Sequence, residues 1–192
     1  MILMKQTSII LYLLLSSLTA LPVAATSVLP VTLEQLSIRA NIIFYGKVVR
    51  NEVKKDAQSG QIATFTTFEV IDLIKGNTGA SHTIKQLGGK HEDSHTHLLI
   101  YGVPQFSVDQ EYVVFLPKKS SLGFSSPIGL QQGSFSVNTQ NGEKIVGNGS
   151  NLANQPTAAN ADIQIPLAVR ADEPAQAHLS DFINTVRAYN VR

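Results

Sequence analysis

The sequence predicts a mainly β domain, a small barrel or sandwich with a short N-terminal helical turn and a C-terminal helix. Short runs rich in β-branched and aromatic residues recur between Ile42 and Val146, and Gly, Pro and Asn-Gly signals separate them. Helical spacing is confined to the neighbourhoods of Leu33 and Phe182. There is no cysteine, so no disulfide framework supports the fold and stability must come from the core.

Residues 1–25 read as a signal peptide, with Lys5 as the positive charge, Ile9 to Leu15 as the apolar core and Val23-Ala24-Ala25 as small cleavage-site residues. That core is short of the roughly 20 residues a membrane span needs. The expected mature chain begins at Thr26, leaves the membrane after cleavage and is periplasmic or secreted. Residues 26–146 are expected to form the β domain, 147–176 a Gly/Asn/Ala-rich surface loop, and 177–192 a helix packing on the barrel.

Thr32 is a good N-cap for one or two helical turns, with Leu33, Leu36 and Ile38 as a rough apolar stripe. Ile42 to Val53 is strand-like: Ile42, Phe44, Gly46 and Val48 share one face, Ile43, Tyr45, Lys47 and Val49 the other. After the turn Asp56–Gly60, a second long strand runs from Ala63 to Ile74, and the two make a hairpin. Thr83–Leu87 is a short strand stopped by Gly88-Gly89, and Lys90 to His97 reads as a loop before a strand from Leu98 to Tyr101. Glu111–Leu116 is a compact apolar strand ended by Pro117. Pro127–Leu130 and Gly133–Val137 are expected strands, with Asn141-Gly142 as a hairpin turn before Lys144–Val146. Asp181–Tyr189 closes the chain as a helix capped by Ser180, burying Leu179, Phe182, Ile183 and Val186. Phe44, Phe68, Val70, Val114 and Phe115 are expected in one core.

Charge narrows the partners. Cleavage removes Lys5 and leaves basic and acidic residues equal in number. Such a chain lacks the electrostatic drive of nucleic-acid binding and the polybasic patch that holds proteins on anionic lipid.

Three segments carry a family likeness: Ala40-Asn-Ile-Ile-Phe-Tyr-Gly-Lys-Val-Val49, Phe68-Glu-Val-Ile-Asp-Leu-Ile-Lys-Gly76 and Glu111-Tyr-Val-Val-Phe-Leu116. Together they resemble the netrin-like domain best known from the tissue inhibitors of metalloproteinases. Continued through Ile128–Phe135, the pattern is also similar to a group of uncharacterised bacterial exported proteins. The resemblance implies an OB-fold-like, five-stranded Greek-key barrel. In the inhibitors the N-terminal amine and adjacent carbonyl chelate the target protease's zinc, and Thr26, followed by Ser27 and Val28, takes that end here. The inhibitors anchor that end with a disulfide-bonded cysteine, which this chain lacks, and fold analogy alone does not carry activity.

His91-Glu-Asp-Ser-His95 matches the zinc-protease pattern H-E-x-x-H, in which one helix places two histidines on zinc and a glutamate activates water. Gly88-Gly89 before it and a β-like run after it leave no room for that helix. His91, His95 and His97, with Glu92 and Asp93 nearby, remain a candidate zinc, copper or nickel site in a loop. No serine sits in a Gly-x-Ser-x-Gly elbow. His82 and His178 stand alone and read as surface or satisfied histidines, and Lys54-Lys55 and Lys118-Lys119 as solvated strand ends. Asn148-Gly-Ser150 is a glycosylation acceptor only in a host with that machinery.

The reading that follows is an exported, non-enzymatic protein-binding module with no bound cofactor. Its expected partner is a protein, with a zinc metalloprotease, inhibited through Thr26–Val28, as the specific case. The alternative is a metal- or small-ligand-binding cell-envelope protein using the His91–His97 loop.

Overall fold

A computed structural model describes residues 31–91, 96–148 and 176–191. The expected signal peptide, Thr26–Val28 and nearly all of the 147–176 segment lie outside the described residues.

Helix α1 (Leu33–Arg39) starts with a capping box: Gln35 N–H donates to Thr32 Oγ1 while Thr32 N–H donates to Gln35 Oε1, each at 3.1 Å. Leu33, Leu36 and Ala40 are buried, but Ile38 is exposed, contrary to the expected stripe. The three-to-four-residue helical period puts Ser37 inward instead, and its hydroxyl donates to Leu33 O at 2.7 Å.

Strands β1 (Ile42–Lys55) and β2 (Ile62–Lys75) form the expected hairpin, and β3 (Ser81–Leu87) adds to β2. The long connection that follows holds a separate two-stranded ladder, β4 (Gly89–His91) with β5 (Thr96–Leu98). Then β6 (Glu111–Leu116) returns beside β1. The order β3-β2-β1-β6 is a Greek key, in which the fourth strand lies next to the first. Beyond it come β7 (Ser134–Gln140), β8 (Glu143–Gly147), the short β9 (Ala177–His178) and helix α2 (Leu179–Asn190). The protein is therefore mainly β: an antiparallel sheet of seven strands, unclosed among the described residues, with two helices. The expectation of five strands does not describe this sheet, because β8 and β9 extend it past β7.

Three local expectations are corrected. Pairing in β5 ends at Leu98, since Ile100 and Tyr101 enter a turn closed by Val103 N–H to Ile100 O, and the segment read as a loop carries the β4–β5 ladder. Pro127–Leu130 is no strand: Gly129 and Leu130 both take positive φ and lead into a 3-10 turn at Leu130–Gly133. Ser180 is not the cap of α2, which begins at Leu179 behind His178 with no side-chain capping bond.

Period-two alternation divides the core between the sheet's faces. On one face Ile43, Tyr45, Val113, Phe115, Phe135 and Val137 pack under α1 and α2. On the other, Phe44, Val48, Phe68, Ile84, Tyr112 and Val114 form a second cluster with Phe106. The single expected core is thus split: Phe115 belongs to the helix face, while Phe44, Phe68 and Val114 belong to the loop face, with Val70 only partly buried against them. Gly46 sits at a register shift in β1, where a Cβ would lie 2.5 Å from Glu69 O, so no larger residue fits that crossing. Among the described residues no helix is long and apolar enough to cross a membrane.

Candidate functional site

The proposed partner-binding residues Thr26, Ser27 and Val28 lie outside the described residues, but the point where the chain joins the fold is defined. Val31 N–H donates to Gln132 Oε1 at 2.8 Å, and the Val31 side chain packs against the helix-face core. The capping box follows one residue later. The chain is therefore seated on the domain five residues after Thr26, within reach of roughly 17 Å at full extension.

Of the candidate metal ligands, His91 falls on β4 and His97 on β5, while His95 lies outside the described residues. The ladder pairs His91 with Thr96 and Lys90 with His97, so the two histidine positions occupy successive rungs rather than facing ones. Among the described residues no group of three His, Asp or Glu comes together in a way that could hold a metal ion.

A groove of about 650 Å³ opens where the start of α2 meets β2, β8 and β9. Ile71, Leu179 and Ile183 give it apolar walls, and Tyr45, Lys144 and His178 bring polar groups. A three-residue network joins three strands beside it. The Tyr45 hydroxyl donates to Glu111 Oε2 at 2.5 Å and accepts from Lys144 Nζ at 2.5 Å, while Lys144 bonds both Glu111 oxygens at 2.9 and 3.0 Å. Burial and then the Glu111 hydrogen bond raise the Tyr45 pKa. Burial pushes Glu111 up, but the Tyr45 and Lys144 hydrogen bonds outweigh it and leave the carboxyl below its ordinary range. Lys144 is raised by its bonds to Tyr45 and Glu111. The phenol is thus kept protonated and the carboxylate charged, a bolt between strands in which every polar tip is committed. Around the rim, His178 stands 3.4 Å from Glu143, and Arg187 2.6 Å from Asp72. The groove presents apolar surface edged by balanced charge, which suits recognition by contact.

A second polar centre holds the far end of the sheet. Lys85 Nζ lies 2.8 Å from Asp56 Oδ2, donates to Leu122 O at 2.6 Å and sits 4.5 Å from the Phe124 ring centroid. The Lys85 hydrogen bond, then that of Ser59, draws the Asp56 pKa down to about 2. This clamp ties the β1–β2 turn to β3 and the Ser120–Phe124 loop.

No model of a known protein family matches the chain, and no curated protein matches it. Sequence reasoning did not find the Tyr45–Glu111–Lys144 network or the Lys85–Asp56 clamp, whose members are separated by 29 residues or more in the closest pairing. It also read His82 as a surface or satisfied histidine, whereas the side chain is buried and its Nε2 has no partner. The alternation with buried Ile84 was the available signal, since residues two apart on a strand share a face.

Proposed function

We propose that this chain is an exported, non-enzymatic protein-binding module with a netrin-like domain, whose strands β1, β2, β3, β6 and β7 correspond to the OB-type barrel and whose mature N-terminus meets the partner. The observation that carries this reading is the anchoring of Val31 by Gln132, backed by the capping box of α1. A recognition segment that starts only five residues earlier loses less freedom on binding than one on a long tether. The Greek-key order of the first strands and the contact character of the α2 groove agree with a binding role.

The specific partner proposed is a zinc metalloprotease, chelated by the Thr26 amine and carbonyl. A reference α-amino pKa of about 7.7–8.0 leaves a modest neutral fraction at neutral pH, and metal attraction lowers it further. Processed protein and a form with one residue added before Thr26 are compared against a panel of secreted zinc proteases. Inhibition by the processed form alone supports the reading. Equal inhibition by both forms removes the chelating terminus, and inhibition by neither leaves the partner to be found by capture on the processed protein.

The alternative reading rests on the sequence alone, since neighbouring rungs of the β4–β5 ladder put the His91 and His97 positions on opposite faces. In it the protein is a cell-envelope binder of zinc, copper or nickel. Calorimetry with each metal on wild type and on a variant carrying His91→Ala, His95→Ala and His97→Ala decides it. Binding lost in the variant supports the site, and equal binding by both removes it.

A further inference from the structure

His82 is the second residue of β3 and lies opposite Phe68 of β2 in the ladder. Its ring is 8% exposed, with its centroid 5.5 Å from that of Phe44. Nδ1 pairs with Thr78 Oγ1 at 2.9 Å, and Nε2 is buried without a hydrogen-bond partner. Whichever tautomer is present, one ring nitrogen is unsatisfied in apolar surroundings, a costly arrangement.

We propose that His82 is an acid-sensitive latch, whose protonation releases the start of β3 and the turn before it from the edge of β2. The groups facing the ring are Phe44 from β1, Phe68 from β2, Thr78 from the turn and, as a charge, Lys119 from the segment after β6. None of them is an anion that would pair with an imidazolium, and Lys119 repels it. Burial first, and the Lys119 charge second, hold the ring's pKa below its ordinary value. The sign follows: the neutral ring favours the closed state above the unfolded-state pKa of about 6.5, and this preference is lost as pH falls towards the lowered folded value.

The release is local because of where the strand is fastened. Among the described residues β3 is an edge strand, paired with β2. Its far half is pinned at Lys85, through Asp56 and Leu122 O and through Ser125 N–H to Lys85 O at 3.0 Å. Its near end rests on Val70 N–H to Ala80 O at 2.9 Å and the exposed hydroxyl pair Thr67–Thr83 at 3.0 Å. Opening therefore frees the Thr67–Val70 edge of β2, an unpaired row of backbone groups of the kind that accepts an added strand.

Amide hydrogen exchange on the full mature chain, corrected for the intrinsic pH dependence, tests the latch at Val70, with Val114 of β6 as the internal control. Between about pH 7.5 and pH 5.5 the protection of Val70 should fall about tenfold relative to Val114, the change set by protonating an open-state ring of pKa ~6.5. His82→Phe and His82→Gln, which cannot titrate, should abolish that pH dependence. An unchanged Val70-to-Val114 ratio in wild type overturns the proposal whether or not the variants fold. So does a fall that persists undiminished in either folded variant.

Discussion

On the helix-covered face, Phe115, Phe135 and Phe182 stack inside a core sealed by α1 and α2, with Phe135 and Phe182 centroids 4.8 Å apart. On the opposite face, Phe44, Phe68, Phe106 and Tyr112 stack edge to face at 5.0–6.3 Å, and loops do the sealing. Helices satisfy their own backbone groups, so the first face can be closed with apolar side chains alone. Loops do not, and the second region is closed by Lys85 on Leu122 O, Asn51 on Phe106 O and Ser125 on Lys85 O. One sheet is thus sealed on one side mainly by apolar side chains and on the other by polar groups that answer loop carbonyls.

Removing an aromatic ring from either face gives the largest expected effect. Phe68→Ala and Phe182→Ala, both fully buried, should each lower unfolding free energy by about 3–5 kcal/mol in urea titrations. Because the two rings belong to separate clusters, the double variant should lose the sum to within about 0.5 kcal/mol. A strongly non-additive double variant would show that the faces act as one core, and an unchanged midpoint for Phe68→Ala would refute the placement of β2.

The acid limb of the stability curve comes next. Asp56, held near a pKa of about 2, contributes stability above the ordinary carboxylate pKa of about 3.9 and loses it as pH falls towards 2. Lys85→Met should return the Asp56 carboxyl signal in carbon NMR towards its ordinary titration and flatten this part of the stability curve. A titration left near 2 in that variant would mean that Ser59, not Lys85, dominates. The smallest effect belongs to the rim of the groove: Arg187→Ala, breaking an exposed pair with Asp72, should cost less than about 1 kcal/mol in the same titrations.

The strands whose character is local were legible. Ile42–Val53, Ala63–Ile74 and Glu111–Leu116 announce themselves by β-branched and aromatic runs, and the structure extends the first two by only a residue or two at their ends. Asn141-Gly142 gave the β7–β8 turn, where both residues take positive φ. Thr32 gave the N-cap of α1, to which the structure adds the reciprocal bond from Gln35. What failed was decided at a distance. Ile128 is β-like in composition, but its N–H goes to Phe115 O and Gly133 is packed so closely on Ile128 that a Cβ would lie 2.3 Å from its carbonyl oxygen, which bends the segment into a turn. Lys85 stands where alternation with Ile84 points outward, and only the arrival of Leu122 and Phe124 buries it. The polar network at the groove draws Tyr45, Glu111 and Lys144 from three strands, so no local spacing could reveal it. For Thr26, Ser27 and Val28 the sequence supplied the candidates, and the structure supplied their point of attachment at Val31.

That attachment sets an order of events. Val31 and Gln132 are 101 positions apart, and Tyr45 and Lys144 are 99 apart. The β1–β2–β3 meander joins neighbours in the chain and can form early, whereas contacts of such long separation pay their loop-closure entropy before they return any energy. A chain that emerges from its N-terminus has made α1 and everything ahead of it long before Gln132 exists to receive Val31. Val31 is thus made before every strand of the sheet and is among the last residues to be fastened.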